Sequence, residues 1–212
     1  MTSDPAIPPT LGAILAGGLA RRLGGGDKAL RTVGGRTVLS RLVDRLAPYV
    51  TRVILNANGD PRRFDGLGLP VVADGLPDHP GPLAGILAVL DWTALSAPDI
   101  AWVVTVPGDA PFIPRDLAPR LQAARRHDNA VFACAASRGW IHPVIALWPV
   151  SIRGELRRAV VEEGLREVGA FARRYPCSPV NWAAEPVDPF FNVNTPEDLA
   201  EADGLVASYP DL

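Results

Sequence analysis

Leu11-Gly12-Ala13-Ile14-Leu15-Ala16-Gly17-Gly18 is a short apolar run halted by a glycine pair, and it decides how the rest of the chain is read. An unbroken apolar run of this length, closed by turn formers, is the pattern of a strand buried on both faces. After the glycine-rich stretch, Thr37-Val38-Leu39 with Leu42, Val43 and Leu46 recur at helical spacing, so the order is strand, glycine loop, helix. Val53-Ile54-Leu55 then runs into Asn56-Ala57-Asn58-Gly59, and Leu69 to Ala73 runs into Asp74-Gly75. Each is a buried strand closed by turn chemistry. Pro82 suits the first position of a helix over 83–95, and Ile100 to Val106 is another strand, broken by Pro107-Gly108-Asp109. The pattern predicts a helix over about 114–127, strands at 130–135 and 143–148, helices over about 151–163 and 167–174, and a closing helix capped by Thr195 with Pro196 at its first position.

Strands alternating with helices require crossover connections, so the expected fold class is α/β: three layers, a mostly parallel sheet between helices, Rossmann-like. With 212 residues, an α/β chain can bury its core without dividing, which predicts one domain over 11–212 preceded by a loose tail over 1–10. The net charge of -2 gives no basic stripe for nucleic-acid phosphates, and no apolar run approaches the roughly 20 residues of a bilayer span. A cytoplasmic enzyme with small-molecule substrates is expected, with neither a nucleic-acid nor a membrane partner. The two cysteines, Cys134 and Cys177, lack paired spacing, and His79, His127 and His142 are scattered. That argues for reduced thiols and against a zinc site.

Ligands of open α/β sheets bind beyond the carboxyl ends of strands, and here Gly17-Gly18, Asn56, Asp74 and Asp109 each follow a strand. Any one of them is also an ordinary turn former; the series is what points to a site. Residues 15–30 place five glycines, two arginines and a lysine in one strand-to-helix loop. Backbone N–H groups freed by glycine can surround phosphate oxygens, while Arg22 and Lys28 can neutralise charge during phosphoryl displacement. The familiar phosphate loops do not fit, because Lys28 lies between Asp27 and Ala29 rather than in a GK[ST] context, and no GxGxxG opens the helix.

Residues 15–30 closely resemble the LAGGxxxRxGGxDKxL signature of molybdenum cofactor guanylyltransferases, and further matches come in the family's order. These are Asn56-Ala57-Asn58, Asp74 with Asp78-His79-Pro80-Gly81-Pro82-Leu83-Ala84-Gly85, Pro107-Gly108-Asp109-Ala110-Pro111, His142-Pro143-Val144-Ile145-Ala146-Leu147 and Asn192-Val193-Asn194-Thr195-Pro196-Glu197-Asp198-Leu199. The resemblance implies a GTP site made by Leu15, Ala16, Gly17, Gly18, Lys28, Asn56, Asp74 and Asp109, with Asp109 also holding Mg2+. One carboxylate suffices for that cation, since phosphates and water complete its octahedron. Gly81, Gly85, Arg166, Asn192 and Asn194 are implied to line the pocket for molybdenum-molybdopterin. Whether Asn56 or Asp74 reads the base stays open.

The implied reaction is attack by the terminal phosphate of molybdopterin on the α-phosphorus of GTP, with pyrophosphate leaving. A phosphate monoester loses its second proton near pH 6 and so arrives largely dianionic, which removes the need for a general base. Arg22, Lys28 and Asp109 are the implied catalytic residues, acting by positioning and charge neutralisation. His142 reads instead as a core or strand-end histidine. Two departures stand out. Similar proteins carry two adjacent basic residues where this chain has Arg166-Glu167, so Arg173 or Arg174 would have to supply the second cation; and a common cysteine is Gly108 here, expected to be neutral. Sugar-1-phosphate nucleotidyltransferases resemble GxGTRLxPxTxxxPK, and cytidylyltransferases of the same cofactor resemble LAAG where Gly17-Gly18 stands. A non-catalytic molybdopterin carrier is the alternative outside enzymes, and assembly or acceptor proteins of the same pathway are the implied protein partners.

Overall fold

The computed structural model describes residues 8–17, 26–76 and 81–212. The nine strands are β1 (Thr10–Leu15), β2 (Thr32–Val33), β3 (Arg36–Thr37), β4 (Arg52–Asn56), β5 (Val71–Val72), β6 (Trp102–Pro107), β7 (Phe132–Ser137), β8 (Trp140–Pro149) and β9 (Cys177–Asn181) among the described residues. The α-helices there are α1 (Val38–Leu46), α2 (Pro82–Ser96), α3 (Leu117–His127), α4 (Arg153–Val161), α5 (Val168–Ala172) and α6 (Pro196–Ser208). Seven strands form one sheet in the order β5-β4-β1-β6-β8-β7-β9. β5, β4, β1 and β6 are mutually parallel, β9 is parallel to β7, and β8 runs antiparallel to both its neighbours.

Side chains alternate across each strand, and that alternation builds the three layers. Ile14, Val104 and Val106 join Val38, Leu39 and Leu42 of α1, Leu117 and Leu121 of α3 and Ala202 of α6 on one face. Leu11, Ala13 and Val103 join Leu87 and Leu90 of α2, Leu156 of α4 and Phe171 of α5 on the other. α2 is apolar nearly all round because it is buried between the sheet and α4. The α1 face also buries two cations: Arg41 donates to the carbonyls of Val33 (2.9 Å) and Leu212 (3.0 Å), and Arg45 to that of Ile113 (2.9 Å). Burial holds the Arg45 guanidinium down at about 10.

The expected elements are present with shifted boundaries, and the shifts have local causes. β1 begins at Thr10, whose side chain is buried and donates to the Pro8 carbonyl at 2.8 Å; the first strand thus starts one residue inside the expected tail. The strand expected over 69–73 shortens to Val71–Val72 at the sheet edge, behind Pro70, which has no N–H to offer a ladder. The helix expected from Pro114 starts at Leu117, and the carboxylate of Asp116 accepts from Trp182 Nε1 at 3.0 Å instead of capping the helix. β9 was not expected at all, because Pro179 interrupts its run; an edge strand tolerates that. The hairpin of β2 and β3 was also missed. It turns on Gly34 and Gly35, both at positive φ (57° and 74°), the pair of conformations a tight hairpin turn needs.

β8 departs from regular pairing where it matters. Its register on β7 jumps between Cys134–Ala146 and Ala135–His142, so residues 143–145 bulge at the carboxyl end of β6. Thr105 of β6 pins that bulge, donating to the Val144 carbonyl at 2.6 Å while accepting from Trp148 Nε1 at 2.9 Å. Thr105→Val keeps the shape and strands a buried indole N–H, so it should lower the free energy of unfolding by about 1–3 kcal/mol. Thr105→Ser should recover most of the loss in urea denaturation; equal losses in the two variants would show that the hydroxyl is not the source.

Candidate active site

β1, β4, β5 and β6 all end on one edge of the sheet, so the residues just beyond them meet there. Backbone hydrogen bonds continue past the strands: Ala16 N–H donates to the Asn56 carbonyl (2.8 Å) and Gly108 N–H to that of Leu15 (2.9 Å). They fix the glycine loop's origin against the strand ends on either side. Gly108 is not sterically neutral, since a Cβ there would lie 3.1 Å from Ala16 Cα and 3.2 Å from Leu15 O.

Two adjoining recesses result. A small one of about 60 Å³ is lined by Leu15, Ala16, Lys28, Ala29, Pro107, Gly108 and Asp109. A larger cleft of about 360 Å³ is lined by Leu15, Gly17, Asn56, Asn58, Asp74, Gly81, Pro82, Pro107 and Val144. They share Leu15 and Pro107, and their combined shape suits an elongated ligand with one strongly charged end.

In the small recess the Lys28 ammonium lies 3.1 Å from Asp109 Oδ2 and also donates to Asn194 Oδ1. The Asp109 carbonyl in turn accepts from Val193 N–H at 2.8 Å. Three segments remote in sequence thus converge on one cation. Asp109 supplies the hard oxygen ligand that a small divalent cation prefers, and no cluster of three or more metal-binding side chains occurs among the described residues. One carboxylate beside the Lys28 ammonium fits an ion whose remaining ligands come from phosphate and water.

The larger cleft is organised around Asp74. Asn56 Nδ2 donates to Asp74 Oδ1 at 2.8 Å, Asn58 Nδ2 to Oδ2 at 2.7 Å, and the Asp74 N–H to Asn58 Oδ1 at 2.8 Å. Both carboxylate oxygens are therefore oriented while keeping lone pairs for a ligand's N–H groups. Gly85, in the first turns of α2, makes room for this: a Cβ there would collide with Asn56 Oδ1 and lie 3.6 Å from Asp74 Oδ1.

Asn58 and Arg63 complete this hydrogen-bond network, and the sequence alone assigned neither a role. Arg63 donates from Nε to Asp27 Oδ2 (2.7 Å) and from Nη2 to the Asn58 carbonyl (2.5 Å), tying the residue before Lys28 to the loop that orients Asp74. Asn58 was visible within Asn56-Ala57-Asn58, whereas nothing in the polar run Asp60-Pro61-Arg62-Arg63 distinguishes its second arginine.

Of the residues expected at the site, Leu15, Ala16, Gly17, Lys28, Asn56, Asp74, Gly81 and Asp109 all line the two recesses. Gly18 and Arg22 lie outside the described residues, as do Asp78-His79-Pro80. Asn194 meets Lys28, and Asn192 is exposed on the same segment. Gly85 stands behind Asn56 on the same cleft as Gly81, so among the described residues these two glycines lie on the Asp74 side. Arg166 is not among the lining residues; its Nη1 donates to the carbonyls of Val160 and Leu165, both at 3.1 Å, in the turn after α4. Arg173 pairs with Glu167 and Arg174 with Glu163, so each guanidinium already faces an acid. His142 packs against Phe190 with ring centroids 4.9 Å apart and planes tilted by 49°, and burial lowers its pKa more than Asp188 raises it.

A MobA-like NTP transferase domain matches residues 12–176. The chain is 55% identical over 201 residues to a molybdenum cofactor guanylyltransferase of Nitrobacter hamburgensis, covering 95% of this chain and 96% of that one. It is 54% identical over 209 residues to the enzyme of the same name from Rhodopseudomonas palustris, covering 99% and 97%. Among solved structures, molybdopterin-guanine dinucleotide biosynthesis protein A of Archaeoglobus fulgidus superposes with a TM-score of 0.72 at 22% identity, over 93% of this chain and 99% of that one. No helix among the described residues is long and apolar enough to cross a membrane.

The packing of Gly85 against Asn56 yields a test. Gly85→Ala should force the Asn56 amide off Asp74 and weaken GTP binding at least about tenfold, since a buried polar pairing at this cost is worth roughly 1.4 kcal/mol or more. Isothermal titration with GTP measures it. Unchanged affinity in a folded variant would remove the Asn56–Asp74 pair from nucleotide binding.

Proposed function

Because the chain belongs to the MobA-like NTP transferase family, among its molybdenum cofactor guanylyltransferases, we propose that it transfers GMP from GTP to the terminal phosphate of molybdenum-molybdopterin. The products are the guanine dinucleotide form of the cofactor and pyrophosphate. The observation that carries this reading is the Lys28–Asp109 pair, set between the ends of β1 and β6 beside a cleft that presents an oriented carboxylate.

The base and ribose of GTP occupy the larger cleft, where Asn56 and Asp74 face them, and the polyphosphate runs past Leu15, Ala16, Gly17 and Gly18 toward Lys28. The Asp74 carboxylate matches the N–H donors of a guanine edge, while both Asn56 amide protons are spent on Asp74 Oδ1 and the Val72 carbonyl and so orient that carboxylate. Asp109 would hold Mg2+, which would supply positive charge to offset that of the phosphate oxygens. The incoming phosphate oxygen forms a bond to the α-phosphorus as the bond to the bridging oxygen of pyrophosphate breaks, and Lys28 with Arg22 neutralises the charge that develops. No protein base is needed, since the attacking phosphate monoester is largely dianionic at neutral pH.

Asn192 and Asn194 belong on the molybdopterin side, whereas Gly81 and Gly85 lie on the nucleotide cleft and Arg166 is turned to the backbone carbonyls after α4. Asn194 already touches Lys28, so it stands between the two substrates. The enzyme works in the cytoplasm, with assembly or acceptor proteins of the cofactor pathway as its protein partners and with neither nucleic acid nor membrane involved.

Nucleotide transfer to molybdenum-loaded molybdopterin with Mg2+ and GTP, CTP or ATP in parallel tests the proposal. GTP-selective dinucleotide formation, falling at least about 10²-fold in Lys28→Ala and in Asp109→Ala, is expected from the loss of a charge aimed at the transition state. Pterin binding without transfer from any nucleotide would refute the transferase reading in favour of a carrier.

A further inference from the structure

The segment 188–195 carries Asn192 and Asn194 and is held at both ends by aspartates. At the helix end, Asp198 Oδ2 accepts from the N–H groups of Asn194 (2.8 Å) and Thr195 (2.9 Å), while Thr195 Oγ1 accepts from Asp198 N–H (3.2 Å), a closed capping box on α6. At the other end Asp188 is held by the β7–β8 hairpin. Ser137 Oγ lies 3.0 Å from Asp188 Oδ1 and 3.2 Å from Oδ2, Phe190 N–H donates to Oδ1 at 3.0 Å, and Arg138 Nε is 3.3 Å from Oδ2.

Proton count fixes the direction of the hydrogen bonds at this end. Ser137 has one hydroxyl proton, and an ionised carboxylate can only accept, so that proton points at Asp188. Ser137 Oγ must then accept from His142 Nε2, 2.8 Å away, which places the imidazole's proton on Nε2. His142 is packed against Phe190, and its lowered pKa keeps it neutral at pH 7, consistent with a single ring N–H. The chain of donors therefore runs from His142 through Ser137 to Asp188. Ser137 is buried, so a broken link would not be replaced freely by water.

Between these anchors the segment makes its two contacts with the reacting end of the cleft, Val193 N–H to the Asp109 carbonyl at 2.8 Å and Asn194 Oδ1 to Lys28. We propose that Ser137, His142 and Asp188 are positioning residues for the transfer step: their relay fixes segment 188–195 so that Val193 steadies the Asp109 backbone and Asn194, with the Asp109 carboxylate, holds Lys28 in its working place. The proposal rests on the reading of Lys28 and Asp109 as the reacting centre. Among the described residues none of the three lines either recess, so their loss acts through Lys28 and not through nucleotide recognition.

Ser137→Ala and Asp188→Ala remove the relay. Asp188→Asn, with its carbonyl at the Oδ1 position, retains acceptance from both Ser137 and Phe190 and loses only the exposed Arg138 pairing, which contributes little. Hydrogen exchange at the Val193 amide and steady-state kinetics of GMP transfer are the two readouts. In Ser137→Ala and Asp188→Ala, Val193 exchange should quicken at least about tenfold while β1 amides keep wild-type rates, kcat should fall about tenfold, and KM for GTP should stay within about twofold. Asp188→Asn should remain within about threefold of wild type in both. Unchanged Val193 exchange, or protection lost equally from β1, would overturn the proposal, as would a rise in KM for GTP at constant kcat. A wild-type protein that transfers no GMP would refute the functional reading instead, and the exchange comparison would still decide whether the relay holds the segment.

Discussion

The site depends on bringing a lysine and an aspartate 81 positions apart to within 3.1 Å at the end of a parallel sheet. Parallel strands make this possible, because their crossovers deliver successive loops to the same edge. β1 and β6 are neighbours in register from Thr10–Trp102 to Leu15–Pro107, so the residues just past them emerge side by side. Lys28 returns to the point where its own loop began, and Asp109 waits there. The pair is about one-fifth exposed on each side, open enough for a polyanion to reach the ammonium and enclosed enough for the charges to be felt.

Around that pair the protein devotes its polar side chains to orientation. Arg63 links Asp27 to the Asn58 carbonyl, Asn58 and Asn56 grip Asp74, and Asp188 and Asp198 hold the segment that reaches Lys28. The chemistry imposes this requirement. A reaction that needs no general base gains its rate from placement and from charge fixed in advance, and flexible groups would have to be ordered at each turnover.

Much of this was legible in the amino-acid sequence. Buried strands ending in Gly17, Asn56, Asp74 and Asp109 announced a parallel sheet and a site along one edge, because turn chemistry and binding chemistry use the same residues there. Thr195-Pro196 announced the last helix, and the structure adds the reciprocal bond from Asp198. What escaped was non-local. Pro179 hid β9, the three-residue slip in β8 has no sequence mark, and Arg63 and Ser137 acquire their roles only from partners 36 and 51 positions away. The Arg166-Glu167 departure also looked sharper in sequence than in space: Arg166 is engaged with backbone carbonyls, and Glu167 faces Arg173.

If the cleft directs attack at the α-phosphorus of GTP, the β- and γ-phosphates leave together. Following the fate of isotopic label from α-labelled and γ-labelled GTP in a single turnover with molybdenum-loaded molybdopterin tests it most directly. The α-label should appear in the pterin dinucleotide and the γ-label in pyrophosphate. Appearance of the γ-label in the pterin product, or its release as orthophosphate with no dinucleotide formed, would contradict it.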